Sequence, residues 1–266
     1  MTFEPHPKEF FAPTEAPPRI LNLRDKLTAF ADIGIDRVVI EHFNAAYAKL
    51  SPEQFVAEIL IRRLNTKWIL IGDDFCYGAK RAGNFASLKS AGEQLGFEVS
   101  NINTVLENQE RISSSALRSA LAQGDMEKAA LLLGRPYTIS GHVIYGRQLG
   151  RTLGFPTLNI AVANHLQERK PAMTGIFTVL VHGLGDTPLP GVASLGVRPT
   201  VEDAGRVLLE VHLFDFNAQV YGRILRIELL EKIRDETKYP DLETLQSAIQ
   251  SDAQYARDYF QKKAHV

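Results

Sequence analysis

The spacing of apolar residues in this 266-residue chain changes near Gly124, which limits it to two halves built on different plans. From about Asp36 to Ser119, short apolar runs alternate with segments of helical spacing. Residues 38–40, 67–71 and 97–99 read as buried strands. Between them, Ser51-Pro52-Glu53 reads as an N-cap, a first-turn proline and an acid that favours the helix dipole. Phe55, Ile59 and Leu60 then share one helical face, and residues 84–95 read as a further helix. Strands alternating with helices predict a parallel sheet covered on its faces. Beyond Gly124, residues 125–133 predict one short helix closed by Pro136. Period-two segments follow at 137–145, 174–182, 192–197, 207–215 and 223–230, separated by glycine, proline and asparagine. They predict antiparallel strands in a closed or nearly closed barrel. Leu242, Leu245, Ile249, Ala253, Ala256 and Phe260 predict a final helix with Asp241 as its N-cap. The expected division is therefore residues 1–123 and 124–266, with no internal repeat.

Charge and cysteine content narrow the setting. The chain carries 30 basic and 31 acidic residues without an extended run of either sign. Nothing in that balance calls for nucleic acid or a polybasic membrane contact. A lone cysteine, Cys76, excludes an internal disulfide and a cysteine-based zinc site, which fits a reducing compartment. Residues 1–11 carry Pro5, His6, Pro7 and several charges, so they do not form a signal peptide. Apolar runs such as residues 68–71 are too short to span a bilayer. The expectation is a soluble cytoplasmic protein. Oligomeric state has no signature in the sequence.

The densest chemical signal is Gly141-His-Val-Ile-Tyr-Gly146-Arg147-Gln-Leu-Gly150-Arg151-Thr-Leu-Gly154-Phe-Pro-Thr157-Leu-Asn159. Glycines interleaved with Arg147 and Arg151 suit a loop whose backbone N–H groups approach an anion. The spacing is neither a Walker A loop nor a dinucleotide fingerprint, and a hairpin-rich barrel accounts for glycines about as well. Thr157 and Asn159 flank Leu158 at the start of a strand, so both oxygen-bearing side chains fall on one side. Hard oxygen donors there suit Mg²⁺, although taken alone the pair reads more simply as turn hydrogen bonding. In residues 207–215, Val207, Leu209, Val211 and Leu213 form a continuous apolar face. Glu210 and His212 share the other face with Leu208 and Phe214, which puts a carboxylate mid-strand in a largely apolar row. A carboxylate so placed can act as a general base towards a hydroxyl within its reach.

These motifs, together with Gly191-Val-Ala-Ser-Leu-Gly196-Val-Arg-Pro-Thr200 and Ile233-Arg-Asp-Glu-Thr-Lys-Tyr239, resemble the riboflavin kinase module of the bacterial bifunctional riboflavin kinase/FAD synthetases. The resemblance covers essentially everything after Gly124. It implies a six-stranded Greek-key barrel with a carboxy-terminal helix, ATP and riboflavin as substrates, and FMN as product. By the same resemblance Thr157 and Asn159 would bind Mg²⁺ and the ATP phosphates, and Glu210 would be the catalytic base. Gly141, Gly146, Arg147, Gly150, Arg151 and Gly154 would hold the nucleotide. Arg234 and Glu236 would belong to a flap beside the isoalloxazine ring. Leu158 departs from the alanine usual in the family; its side chain is expected to point away from the presumed ligands.

The first half is similar to the FMN adenylyltransferase of the same family, a nucleotidyltransferase-like, Rossmann-like α/β domain. The matching pieces are Thr2-Phe-Glu-Pro-His6-Pro7, Gly72-Asp-Asp74-Phe-Cys-Tyr-Gly78-Ala-Lys-Arg81-Ala-Gly83 and Arg111-Ile-Ser113-Ser114-Ser115-Ala-Leu-Arg118. Serine hydroxyls and free N–H groups at a helix start form an anion site, with Arg118 one turn further on. His6 is expected to contact substrate. Family members carry an earlier strand and a His-x-Gly-His loop, and no such tetrapeptide occurs in this sequence. Losing it would remove charge stabilisation during adenylyl transfer and leave a sheet edge unpaired. The expectation is therefore a riboflavin kinase joined to an impaired FAD synthetase domain. The alternatives are a fully bifunctional enzyme whose recorded start is too late, and a non-catalytic flavin- or nucleotide-binding protein.

Overall fold

The computed structural model describes residues 1–72, 74–102, 105–107, 110–146, 150, 153–162, 171–197 and 207–264. They form two compact units, Met1–Pro17 with Arg37–Arg111, and Pro18–Asp36 with Ile112–Val266. These contacts group residues 18–36 and 112–123 with the barrel, whereas the sequence suggested a single division after residue 123.

In the first unit, β1 (Thr2–Phe3) pairs in parallel with β2 (Ile40–Glu41), and β3 (Trp68–Gly72) pairs in parallel with β4 (Glu98–Ile102). Among the described residues these are two separate two-stranded sheets, where the alternation had suggested one continuous sheet. A short antiparallel pair, β5 (Leu106–Glu107) and β6 (Glu110–Arg111), follows. The helix α1 (Pro7–Phe11) begins at His6. Ser51 caps α3 (Pro52–Gln54) in a reciprocal box with Gln54, and the chain continues as a π-helical stretch, Phe55–Arg63. Asn84 caps α4 (Phe85–Leu95), which ends on left-handed Gly96. Phe55, Val56, Ile59 and Leu60 bury one face against Ile71, Leu88 and Phe97.

In the second unit, Ser113 caps α5 (Ser114–Gln123), and Asp125 caps α6 (Met126–Leu133). Left-handed Gly134, at φ +67°, closes α6 directly after Leu133, where the sequence placed the helix end; the terminator is this glycine rather than Pro136. Six strands then close a barrel: β7 (Thr138–Ile144), β8 (Leu158–Ala161), β9 (Gly175–His182), β10 (Leu189–Val197), β11 (Val207–Leu213) and β12 (Ile224–Arg234). Every pairing is antiparallel, and the order β8-β11-β10-β9 is a Greek key. Inward residues such as Phe177, Val179, Leu195, Leu209 and Ile227 are almost wholly excluded from water. Asp241 accepts from the Thr244 amide (2.8 Å) ahead of α7 (Leu242–Ala264). Ala253 and Ala256 of α7 pack on Val192 and Phe214, which lie outside the barrel wall.

The remaining helix of this unit, α2 (Leu23–Asp32), comes from the amino-terminal segment. It meets β7 at Ser140, beyond the described end of the β7–β8 ladder at His142↔Ala161. There the Ser140 amide donates to Asp25 Oδ2 (3.0 Å), and Asn22 Nδ2 donates to the Ser140 carbonyl (3.0 Å). Two side chains thus supply what a neighbouring strand would, since buried backbone groups are costly to leave unmade. The Tyr137 hydroxyl donates to Ile20 O (2.6 Å), and Arg118 Nε donates to Pro18 O (2.8 Å), so the start of this segment is tied down as well.

Burial raises the Asp25 carboxyl above its ordinary value, against the opposing pull of the Ser140 bonds, Arg135 and Arg24. The folded state therefore holds the Asp25 proton more tightly than the unfolded chain does. Its contribution to stability is complete below the unfolded carboxylate range and falls as pH rises through the raised folded value. Asp25→Asn should remove this slope: the stability of wild type minus variant, from urea unfolding at several pH values, should decline with rising pH across that window. A flat difference would contradict the assignment.

Candidate active site

The alternation of β11 fixes the direction of its polar residues. Val207, Leu209, Val211 and Leu213 fill the barrel, so Glu210 and His212 face outward, and both are half-buried. They line a 290 Å³ cavity between the barrel wall and α7, whose Leu245, Ile249 and Asp252 form its other side. Glu210 lies directly opposite Asn159 on β8 and opposite Ser194 on β10. Side chains so paired have Cβ atoms about 5 Å apart. Asn159 is only 5% exposed. Thr157, two residues earlier, lines the same cavity. Leu158 packs against the barrel core.

The glycine-rich segment divides by position. Gly141 is a buried wall residue opposite Leu225, where a Cβ would run into the Ala161 carbonyl. Gly146 lies against the Asn159 amide so closely that any side chain would displace it. Gly150 lines the cavity, and its carbonyl accepts from Leu153 (3.2 Å) and Phe155 (2.8 Å) around left-handed Gly154. Arg147 and Arg151 lie outside the described residues. Thr157 also borders a second cavity, of 80 Å³, shared with Pro156 and residues 216–221. Tyr221 of that segment stacks on Tyr145, with ring centroids 3.9 Å apart.

Arg234 ends β12, a strand that runs four residues beyond its expected stop. Its Nε and Nη2 donate to the two carboxylate oxygens of Asp252 (2.8 and 2.6 Å), and Nη1 donates to Asp235 O (3.0 Å). These bonds raise the guanidinium above its ordinary pKa, against partial burial. The Tyr239 ring lies 5.8 Å away in cation–π contact. Glu236 is exposed as a residue, yet its carboxylate covers Gly196 and accepts from Ser194 Oγ (3.3 Å). Local burial, and secondarily the charge of Glu210, raise its carboxyl pKa. Ser194 and Tyr239 fall within motifs quoted from the sequence but were given no role there, and Asp252 was not singled out at all. Asp252 did leave a signal, since it interrupts the apolar helical row Leu245, Ile249, Ala256.

The amino-terminal candidates belong to separate units. His6 accepts the Lys8 amide on Nδ1 (3.2 Å), so its neutral ring carries the proton on Nε2. Glu9 completes this cap by accepting the His6 amide (2.7 Å). Asp74 follows β3 and is exposed, and Arg81 sits in a turn where both it and Lys80 have positive φ. In the second unit Ser113 caps α5 by accepting from Ala116 N (3.1 Å), with exposed Ser114 and Ser115 in the first turn. Arg118 Nη1 donates back to Ser114 O (3.2 Å), and burial lowers the Arg118 pKa.

Residues 133–260 match the family model described as riboflavin kinase, and residues 1–116 match the one described as FAD synthetase. The chain is 42% identical over 260 residues to the bifunctional riboflavin kinase/FMN adenylyltransferase of Escherichia coli (strain K12), covering 98% of this chain and 82% of that protein. The Pseudomonas fluorescens protein of the same description is 41% identical over 263 residues, with 99% and 83% coverage. The fold is similar to a crystal structure from Streptococcus pneumoniae described as a macrolide-efflux protein. That match has a TM-score of 0.71 and 28% identity, and covers 90% of this chain and 76% of that one. Among the described residues of this chain, no helix is long and apolar enough to cross a membrane.

Asp252→Ala should strand the Arg234 guanidinium and lower unfolding stability by about 1–2 kcal/mol in urea titrations, since the arginine stays partly open to water. Asp252→Asn, which keeps one acceptor, should lose less.

Proposed function

This chain belongs to the bifunctional riboflavin kinase/FMN adenylyltransferase family, and on that premise we propose that its barrel phosphorylates riboflavin with Glu210 as the base. In this reading Glu210 takes the proton of the flavin 5′-hydroxyl as that oxygen forms its bond to the γ-phosphorus of ATP. The bond between that phosphorus and the β,γ-bridging oxygen breaks, and ADP and FMN leave. The observation that carries it is that Glu210 and Thr157 line one cavity while Asn159 stands directly opposite Glu210 on the neighbouring strand: a carboxylate close to two oxygen-bearing side chains. A mere carrier of flavin has no need of that combination.

The donor set fits Mg²⁺, which takes few protein ligands and keeps phosphate oxygens and water. Among the described residues no three histidine, cysteine or acidic side chains converge on a metal position. Thr157 and Asn159 would hold the ion, which when bound neutralises charge on the phosphates. Because Thr157 borders both cavities, the phosphates belong near it, with the remainder of the nucleotide towards residues 216–221. Gly146, Gly150 and Gly154, with Arg147 and Arg151, are assigned to the nucleotide, and Gly141 to the wall that carries them. The isoalloxazine ring is assigned to the side of Arg234, Glu236 and Tyr239.

His6, Asp74, Arg81, Ser113, Ser114, Ser115 and Arg118 are assigned to FMN adenylyl transfer, which the FAD synthetase match supports. Since these 266 residues hold no His-x-Gly-His, this polypeptide should form FAD poorly. Dependence on ATP and a single exposed thiol, Cys76, support a cytoplasmic setting.

Glu210→Gln should lower kcat for FMN formation by about 10²- to 10⁴-fold. Riboflavin affinity, read by quenching of flavin fluorescence, should stay within about threefold. Undiminished turnover would remove Glu210 from the mechanism. Incubating the chain with ATP, Mg²⁺ and riboflavin, then separating flavins by chromatography, should give FMN with little FAD. Rapid accumulation of FAD would overturn the expected impairment.

A further inference from the structure

We propose that His212 is a positioning residue that holds the Pro156–Thr157 peptide at a fixed distance from Glu210; this rests on the kinase reading above. The β8–β11 register pairs Val211 with Leu158 and Glu210 with Asn159, so one step further would bring His212 opposite Thr157. Strand β8 starts only at Leu158, and the preceding Pro156 has no N–H with which to extend a ladder. The imidazole fills that gap. His212 Nδ1 lies 2.9 Å from the Pro156 carbonyl. A carbonyl oxygen only accepts, so Nδ1 carries the proton and the ring donates. Phe155 and Phe214 meet the ring edge-to-face, at centroid distances of 5.4 and 5.9 Å, and fix its plane.

The Pro156 carbonyl belongs to the same rigid peptide plane as the Thr157 amide. Holding that oxygen sets where Thr157 begins, and it does so from β11, two residues beyond Glu210. The turn behind it closes on the Gly150 carbonyl through Leu153 and Phe155, which leaves Pro156 as the link to the strand that carries the base. In this role His212 takes no proton from substrate. It keeps the hydroxyl of Thr157 and the carboxylate of Glu210 aimed at the two reactants.

Three variants separate this role from its rivals. Asparagine can place an N–H near the position of Nδ1, whereas glutamine reaches the position of Nε2. Binding of ADP with Mg²⁺ is measured by calorimetry, riboflavin binding by fluorescence quenching, and integrity by thermal unfolding. His212→Ala should weaken ADP binding about tenfold, equivalent to about 1.4 kcal/mol, with riboflavin affinity little changed. His212→Asn should recover most of the ADP affinity, and His212→Gln should not. Rescue by glutamine instead of asparagine would move the role to Nε2 and overturn the proposal. So would nucleotide affinity that falls only in proportion to thermal stability, or does not fall at all. FMN formation by the wild type is the control for the kinase reading: its absence would sink that reading, while the ADP series would still judge His212.

Discussion

The antiparallel pairing of β8 with β11 is the constraint on which the proposed chemistry depends. These strands are far apart in sequence, yet their register puts Glu210 beside Asn159 and brings Thr157 to the rim of the same cavity. The register is held by the opposite face. Leu209 and Val211 are almost fully buried in the barrel, and a slip of one residue would turn them outward and drive Glu210 inward. Each such apolar side chain contributes about 1.5–3 kcal/mol by its burial, and a carboxylate in that interior would cost more still. The packing that stabilises the barrel therefore also aims the carboxylate.

The barrel interior is filled, so the proposed site lies on the outside of the wall. What keeps that surface from being ordinary solvated strand is α7, which packs Ala253 and Ala256 on Val192 and Phe214 and closes one side of the cavity. The Arg234–Asp252 pair fastens this cover to the end of β12 by two bonds in the geometry arginine and carboxylate favour. The guanidinium is thereby largely committed to protein groups. In the proposed flavin site, the flat face of Arg234 is then more available than its N–H donors.

How much could be read in advance follows from where the information lies. Strands β7 and β9 to β12 were legible because each buries one face, and the alternation survives in the sequence. Strand β8 is four residues long and sits in a glycine-rich stretch, so its existence could be inferred but its partner could not. The first unit read correctly as alternating strand and helix. Its division into two parallel pairs did not, because strands as short as β1 and β2 carry almost no period. The end of α6 at Leu133 was legible, but its closure was credited to Pro136, whereas left-handed Gly134 makes it. Glu210 stood out as a carboxylate in a largely apolar row, whereas Thr157 and Asn159 read alone as turn hydrogen bonding and gained their expected role only from the family resemblance. Asp252 and the role of His212 depend on partners reached only through the fold.

The docking of α2 on Ser140 bears on how such a protein can be taken apart. The chain leaves the first compact unit at Pro17, contributes Asn22 and Asp25 to the wall of the second, and re-enters the first at Arg37. The two units are consequently interleaved along the chain, and no single cleavage of the polypeptide separates their residues into two complete sets. A fragment beginning at Ile112 would carry a notch at Ser140 with its amide and carbonyl bare. Exchange of either module between relatives, by recombination or by gene fusion, would have to carry the α2 segment along with the barrel to keep that notch filled.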